Sequence, residues 1–522
     1  MVLPIERRLD RARAADRSSA SRDERAPVPA READSLRSLS DSFEPASTRR
    51  LVVAPAAVPT DLRLSAAGPR LRDAEGRQVM LRGVNAGGRS KWAPYFPFPF
   101  AESGRADQKD AQRFDEACAA YLDGAAKLGH NFLRVPFVWE AVEPERGRFD
   151  NTYLTRLERM VDLAGARGMR VMLDAHQDLI GSAYGGDGFP PWALSRPTAK
   201  QPFYGKVLWG LGYQFDGNVR RDFSSFWRND NGIQDAFSDM WRMMATRFAT
   251  KTNVIGFEIF NEPAAGREPS TAWARDTLTE FHSRLGATIR GIAPRALVAF
   301  GVSGADGLQA KTETQRPQGA GWIFAPHYYD APRVTLGLLG ASRLAPLFGK
   351  FRPELAVRNW AAHGKAWQVP VVVGEFGIPR GAQGSAEYLR KTYEALDSHL
   401  LSGAAWEYST SIDDWNHEGM SLMGPGGTLT SASAEAMRPY PAAIGGTLQH
   451  FSWDSESKRG AVSYAATTGQ TSEIMMPTAL VGSGHVTLRA TGTAQLSWRY
   501  EGGRIEVHAD RGGRAILYFS VK

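Results

Sequence analysis

Residues 254–263 read VIGFEIFNEP and residues 369–378 read VPVVVGEFGI. Each begins as a short apolar run and turns polar at its C-terminal end. That profile belongs to a parallel strand whose body is covered on both faces while its tip opens among the loops of a barrel mouth. Six further runs share it: VMLRGVNAGG from Val79, NFLRVPFVW from Asn131, RVMLDAHQD from Arg170, LVAFGVSG from Leu297, WIFAPHYYD from Trp322 and GAAWEYS from Gly403. Between them lie FDEACAAYLDGAAKLG, TYLTRLERMVDLAGARG and AFSDMWRMMATRFAT, with apolar residues three and four apart as in helices. Eight strands alternating with helices predict an α/β fold, a (β/α)8 (TIM) barrel, over residues 61–442.

The flanks differ. Residues 1–60 are rich in Arg, Ala, Ser, Asp and Pro, which predicts a disordered or loosely attached arm. Residues 443–522 break into short alternating runs (GAVSYAAT, SEIMMP, HVTLRA, RIEVHAD, AILYFSV), predicting a small antiparallel β-sandwich. The composition, 43% hydrophobic and 23% charged over 522 residues, is that of a globular protein. Many of the arginines behind the net charge of +7 fall in the first fifty residues. No basic stripe interleaved with aromatics follows, so no nucleic-acid partner is expected. Cys118, the sole cysteine, excludes an intrachain disulfide and a cysteine metal cluster. With Phe114, Tyr121, Leu122 and Ala125 it forms a helical apolar face, predicting a buried thiol. The start MVLPIERRLDRARAADRSS has basic residues but no apolar h-region, and LVVAPAAVP at 51–59 is short and twice interrupted by proline. The chain therefore reads as cytoplasmic, with an incorrectly chosen start site as the alternative.

Strand four closes on Asn261-Glu262-Pro263. Proline disfavours helical geometry at the preceding residue, so Glu262 is expected to stand extended where the strand stops. Strand seven closes on Gly374-Glu375-Phe376-Gly377, a carboxylate between glycines that would let a ligand approach. Either glutamate alone could be a structural ion-pair partner. Together, facing each other across a barrel mouth, they suit glycosidic cleavage through a covalent intermediate. That reaction needs one protonated carboxyl to serve the leaving oxygen and one ionised carboxylate to attack the anomeric carbon, about 5–5.5 Å apart. Mutual repulsion and partial desolvation favour keeping one proton on the pair.

These motifs resemble glycoside hydrolase family 5, whose clan places its acid/base after an asparagine on strand four and its nucleophile on strand seven. The resemblance implies a retaining β-glycosidase with Glu262 as acid/base, Glu375 as nucleophile and Asn261 on the sugar 2-hydroxyl. Arg134, His176, His327, Tyr329 and Trp406 fall where the family keeps site residues, with Arg134 expected to pair with Glu375 and Trp406 to stack on a pyranose ring. Asp174-Ala175-His176-Gln177-Asp178 invites a metal reading, but it holds one histidine and has no second cluster at ligand spacing. Neither metal nor cofactor is expected.

Ser90-Lys91-Trp92-Ala93-Pro94-Tyr95, the His176-Gln177-Asp178 tip and Arg438-Pro439-Tyr440-Pro441 resemble the endoglycoceramidase-like branch of that family. This adds Lys91 and Asp178 to the expected substrate-binding residues. It implies a glycolipid or another amphipathic β-glycoside as substrate, peripheral contact with a membrane or micelle surface, and no obligate protein partner. Trp92-Ala93 departs from the branch pattern. Aromatic insertions offer an apolar lip: Tyr95 to Phe100 after strand one, and Trp192, Phe203, Tyr204, Trp209, Tyr213, Phe215, Phe223, Phe226 and Trp227 after strand three. The same rings could pack a lid against the barrel, or stack along a glucan chain. An endo-β-glucanase and a catalytically silent carbohydrate-binding protein are the competing functions.

Overall fold

The computed structural model describes residues 61–100, 108–196, 208–348, 351–410 and 418–522, all within one compact unit, Arg49–Lys522. The expected arm over 1–60, and Phe203 and Tyr204, lie outside the described residues.

Eight parallel strands form the barrel: β1 (Arg82–Asn85), β2 (Phe132–Val138), β3 (Arg170–His176), β4 (Val254–Glu258), β5 (Leu297–Phe300), β6 (Trp322–Phe324, resuming at His327–Tyr328), β7 (Val372–Val373, resuming at Glu375–Phe376) and β8 (Ser402–Ala405). They pair in the order β7-β8-β1-β2-β3-β4-β5-β6. The bridge Phe324 to Val371 and the parallel pairs His327–Glu375 and Tyr328–Phe376 close the ring. Every residue of β1 to β8 is buried, which explains their largely apolar character, and among the charges they do carry Arg134 is paired with Asp174 and Glu258. The outer helices present apolar stripes to the strands. In α1 (Gln108–Lys127) the stripe holds Phe114, Cys118, Tyr121, Leu122 and Ala125, and burial pushes the Cys118 thiol up to about 12. In α2 (Asn151–Gly165), Leu154, Leu157, Val161 and Ala164 repeat at three and four, and Asp150 caps the helix by accepting from Thr152 and Tyr153 N–H.

The C-terminal strands are β9 (Tyr440–Ile444), β10 (Gly446–Asp454), β11 (Arg459–Ala466), β12 (Thr471–Met475), β13 (Val486–Gly492), β14 (Gln495–Glu501), β15 (Arg504–Arg511) and β16 (Gly513–Val521). One sheet runs β10-β11-β16-β13. The other runs Ser65–Ala67, Arg70–Arg72, Gln78–Val79, β9, β12, β15, β14. Their facing side chains, among them Ile444, Phe451, Val462, Ile474, Ile505, Leu517 and Phe519, make one buried core. The expected boundary at 442 thus falls inside β9, and Ser65–Val79, expected within the barrel segment, pairs with the C-terminal strands instead. Leu64, Leu71, Val79 and Ala443 continue into a third core with Leu81, Phe132, Met172, Ile255, Leu297 and Ile323, the residues at the strands' N-terminal ends. This apolar plug seals the barrel floor, and the polar tips are left at the opposite end.

Candidate active site

The site is built around Arg134 in the middle of β2. Its side chain is wholly buried and is saturated by partners from four other strands. Nε and Nη2 donate to Glu258 at 2.6 and 2.8 Å, and Nη2 also meets Asp174 at 3.0 Å and Asn261 Oδ1 at 2.9 Å. Nη1 donates to Asn85 Oδ1 at 2.9 Å and to Glu375 Oε1 at 2.7 Å. The other oxygen, Glu375 Oε2, accepts from Tyr329 O–H at 2.8 Å, and His327 Nδ1 lies 3.6 Å away. Burial alone would raise the Glu375 carboxyl. The positive charges of His327, then Arg134, His176 and Lys91, overcome that and hold it down at about 2. Glu375 is therefore ionised at neutral pH. Burial and the adjacent Glu375 charge push the Tyr329 phenol well above its ordinary range, so it stays a donor.

Glu262 faces Glu375 from the tip of β4. One carboxylate oxygen from each lies within 4.8 Å of the other and of His327 Nδ1 or Nε2. His327 Nδ1 is 2.8 Å from Glu262 Oε1, and the two glutamate charges outweigh burial to raise the imidazole above its ordinary value. Glu262 is not extended as the sequence predicts: its φ is +38°. Pro263 excludes the right-handed helical region at Glu262, but the last ladder bond, Asn261 N–H to Ala175 O at 2.9 Å, is already behind it. Gln177 Nε2 then donates to the carbonyls of both Asn261 and Glu262 at 2.9 and 3.0 Å, fixing the turn. Such a conformation costs about 1–3 kcal/mol and persists where the surroundings over-determine it.

The glycines beside Glu375 have another purpose than the expected one. A Cβ on Gly374 would lie 2.9 Å from His327 Nε2, and one on Gly377 would lie 2.3 Å from the Trp406 carbonyl. They admit neighbouring protein rather than ligand. Likewise, a Cβ on Gly304 would stand 2.8 Å from Glu262 Oε2.

The remaining expected residues form a second layer. His176 Nδ1 is 2.7 Å from Asp174 Oδ2, and its ring stacks on Trp406 at 5.3 Å and 7°. Burial lowers the His176 pKa, but Asp174 and Asp178 raise it to about 10, so it is an imidazolium at neutral pH. Lys91 Nζ donates to Asp178 at 2.6 Å and lies 4.4 Å over the Trp406 ring. Trp406 Nε1 donates to Glu418 at 3.0 Å, leaving the indole 3% exposed with His176 across one face. Any sugar stacking must use the remainder of the ring.

Three contributors went unread in the sequence, Asn85, Glu258 and Asp187, while Asp174 figured there only in the metal reading of the β3 tip. Glu258 carried a signal, as the sole charge inside the apolar run VIGFE; Asp187 carried none. Its carboxylate is wholly buried beside Asp178 with no hydrogen-bond partner among the described residues, and burial with the Asp178 charge raises it well above the carboxylate range. Among the described residues, two donor sets have cation-binding spacing, Glu262/His327/Glu375 and His176/Asp178/Asp187. The Arg134 guanidinium already lies on the first and the Lys91 ammonium on the second, so neither suits a divalent ion.

The aromatic insertions are mostly core. Phe96 and Phe98 are 1% exposed and pack on Phe114. Phe223 and Phe226 are buried, and Trp192, Trp209, Tyr213 and Trp227 half-buried; of the described rings in these two insertions, Phe215 alone is largely exposed. The alternative of a packed lid fits them better than an apolar lip.

A floor-sealed (β/α)8 barrel with a glutamate pair at its mouth and an appended sandwich defines a class, and the chain matches it over most of its length. The profile of cellulase (glycosyl hydrolase family 5) matches residues 110–411, and that of the glycoside hydrolase family 5 C-terminal domain matches 438–514. The chain belongs to glycosyl hydrolase family 5 and is a glycoside hydrolase. It is similar to endoglycoceramidase I of Rhodococcus hoagii, 28% identical over 407 residues, 76% of this chain and 75% of that one. It is also similar to a glucosylceramidase of Aspergillus fumigatus, 28% identical over 39% of this chain and 33% of that one. Among solved structures it resembles endo-glycoceramidase II from Rhodococcus sp. in its ganglioside GM3 complex, with a TM-score of 0.68, 25% identity, and coverage of 87% of this chain and 99% of that one.

Proposed function

We propose that this enzyme is a retaining β-glycosidase that cleaves the sugar from a glycolipid or another amphipathic β-glycoside. The observation that carries the mechanism is the approach of one oxygen of Glu262 to within 4.8 Å of one of Glu375. That approach is close to the about 5–5.5 Å of retaining enzymes and short of the about 6.5–9.5 Å of inverting ones, which supports a direct attack. Glu375, held ionised, attacks the anomeric carbon while Glu262 gives its proton to the departing oxygen, and a glycosyl ester on Glu375 results. Glu262, now a carboxylate, takes a proton from water, whose oxygen displaces Glu375 and frees the sugar. His327 serves both glutamates by favouring charge on each in turn. Arg134 and Tyr329 hold Glu375 at a fixed angle, so little reorganisation accompanies the attack.

The glycolipid substrate is supported by the likeness to endoglycoceramidase I over three quarters of that enzyme, and to a structure holding ganglioside GM3. A fluorescent glycosphingolipid, an aryl β-glucoside and carboxymethyl cellulose, offered in parallel with detergent, test it. Cleavage of the glycosphingolipid and the aryl glucoside is expected. Cleavage of the polysaccharide alone would replace this reading with an endo-β-glucanase.

A further inference from the structure

Beyond the β3 tip the chain folds back on itself and sets one carboxyl beside another. Asp178 and Asp187 exchange backbone hydrogen bonds, N–H to O at 3.1 Å one way and 2.9 Å the other. A Cβ on Gly186 would lie 1.8 Å from the Asp178 carbonyl oxygen, and one on Gly188 2.5 Å from Gln177 Cβ, so these glycines let the returning chain lie this close. At the bend Leu179 and Ile180, both buried, hold φ of +52° and +64°. Non-glycine residues rarely adopt that region, and here it is imposed by neighbours. Leu179 N–H donates to the Tyr213 hydroxyl at 3.0 Å, Ile180 N–H to Gln177 Oε1 at 2.8 Å, and Glu140 N–H to Gly188 O at 2.8 Å. Backbone strain that the surroundings over-determine marks a place where position matters.

What the loop positions is Asp187. One oxygen of its carboxyl lies within 4.8 Å of an oxygen of Asp178 and of a His176 ring nitrogen. Asp178 accepts from Lys91 Nζ at 2.6 Å and has His176 Nε2 3.7 Å away. Burial would raise the Asp178 carboxyl, but Lys91 and His176 bring it below its ordinary range. Neither Asp187 oxygen accepts a hydrogen bond among the described residues, although the side chain is wholly buried. An ionised Asp187 would be unsolvated and beside a second negative charge, and two such carboxyls keep one proton between them. The donors on Asp178 put the charge there and leave the proton to Asp187. The other ionisable groups around Asp187 do not reverse this: Lys91 is held by Asp178, His176 by Asp174 and Asp178, and Glu140, which accepts from Ser182 and Tyr95, adds negative charge.

We propose that Asp187 is a positioning residue for sugar binding: as the protonated member of the pair it leaves Asp178 charged and fixed on Lys91, so that both meet the sugar hydroxyls from set directions. The wall they form adjoins the reacting pair, since His176 Nε2 is 3.5 Å from Asn261 Nδ2 and the charges of His176 and Lys91 both reach Glu375. Ionisation of Asp187 would instead draw Lys91 between two carboxylates, away from its place over the Trp406 ring. This rests on the β-glycosidase reading above, and the two fail separately.

Wild type, Asp187→Asn and Asp187→Ala are compared as full-length chains on a soluble aryl β-glucoside, with a thermal melt of each. Asparagine copies the shape and neutrality of a protonated acid, whereas alanine removes the group. Asp187→Ala should raise KM about tenfold, the contribution of one hydrogen bond, with kcat little changed. Asp187→Asn should bring KM back toward the wild-type value. The infrared difference between wild type and Asp187→Asn, recorded on the free enzyme at neutral pH, should contain the C=O stretch of a protonated carboxyl. Carboxylate bands in its place would overturn the proposal. So would a KM in Asp187→Asn as high as in Asp187→Ala, or a KM in Asp187→Ala equal to that of wild type. If the melt shows that Asp187→Ala does not fold, a raised KM in Asp187→Asn overturns the proposal and an unraised one, with the protonated band, upholds it. Failure of wild type to turn over the aryl β-glucoside would overturn the glycosidase reading instead, and the infrared band would still decide where the proton lies.

Discussion

His327 Nδ1 sits 2.8 Å from Glu262 Oε1, and the same nitrogen is 3.6 Å from Glu375 Oε2. One imidazole on β6 thus joins the carboxylates at the tips of β4 and β7, and it is the foremost positive group holding Glu375 down. In His327→Gln the hydrogen bond can persist without the charge. The acid limb of kcat/KM on an aryl glucoside should then move upward, toward the ordinary glutamate value of about 4.3, and kcat should fall by about 10²-fold. An acid limb that stays put would show that His327 does not share its charge with Glu375.

The division of roles between the glutamates is open to chemical rescue. Glu375→Ala should regain activity with azide and give a product of inverted anomeric configuration, since azide replaces the nucleophile. Glu262→Ala with an activated leaving group should give a retained glycosyl azide. Inversion upon rescue of Glu262→Ala would exchange the roles.

Glu258 makes no contact with Glu262 or Glu375 among the described residues. It holds two nitrogens of Arg134, and both partners are buried. Removing one member of such a pair leaves a buried charge uncompensated, at about 3–5 kcal/mol. Glu258→Ala should show that loss in urea unfolding. Glu258→Gln, which preserves shape, should keep more of the stability but lower kcat more than it changes KM, because Arg134 no longer aims at Glu375.

Stability should respond to pH in opposite senses at the two ends of the scale. Glu375, depressed to about 2, contributes stability above its unfolded value of about 4.3, and loses it as pH falls toward 2. His176, raised to about 10, contributes fully below its unfolded value of about 6.5, and loses it as pH rises toward 10. Thermal melts from pH 6 to 10 should decline less steeply in His176→Asn than in wild type. Parallel declines would mean that other groups set the alkaline loss.

Asp397 on the barrel helix Ser385–Ser398 is shared between Arg82 of β1, at 2.6 Å, and Arg438 at the entry to the C-terminal sheets. All three are buried. Asp397→Ala should cost about 3–5 kcal/mol and loosen the C-terminal sheets from the barrel. Limited proteolysis near residue 438, increased relative to wild type, checks it.

The apolar-then-polar runs made the barrel legible, because a strand buried on both faces is mostly apolar, and a charge away from its tip, such as Glu258, is paired by another strand. The tip motifs Asn261-Glu262-Pro263 and Gly374-Glu375 were legible for the same reason, as was Arg134 as a charge within a strand. Glu258 lay in plain view at mid-strand, but a buried charge reveals its partners only when neighbouring strands are set in register. Asp187 gave nothing, since its place beside Asp178 depends on a loop folding back.

By itself, the sequence determined the strand count and the sandwich and singled out the two glutamates as candidates, each from local patterns of burial or from residues on a single strand tip. Only the tertiary structure decided which residues share a wall. It sent Ser65–Val79 to the C-terminal sheet, turned Glu262 to φ +38°, and used the glycines for His327 and Trp406 rather than for ligand. It also buried the Phe96 and Phe98 rings while leaving Leu347 and Phe348 in water. The physical reason is common to all of these: hydropathy states that a side chain is apolar, but whether it faces core or solvent is settled by neighbours distant in the chain.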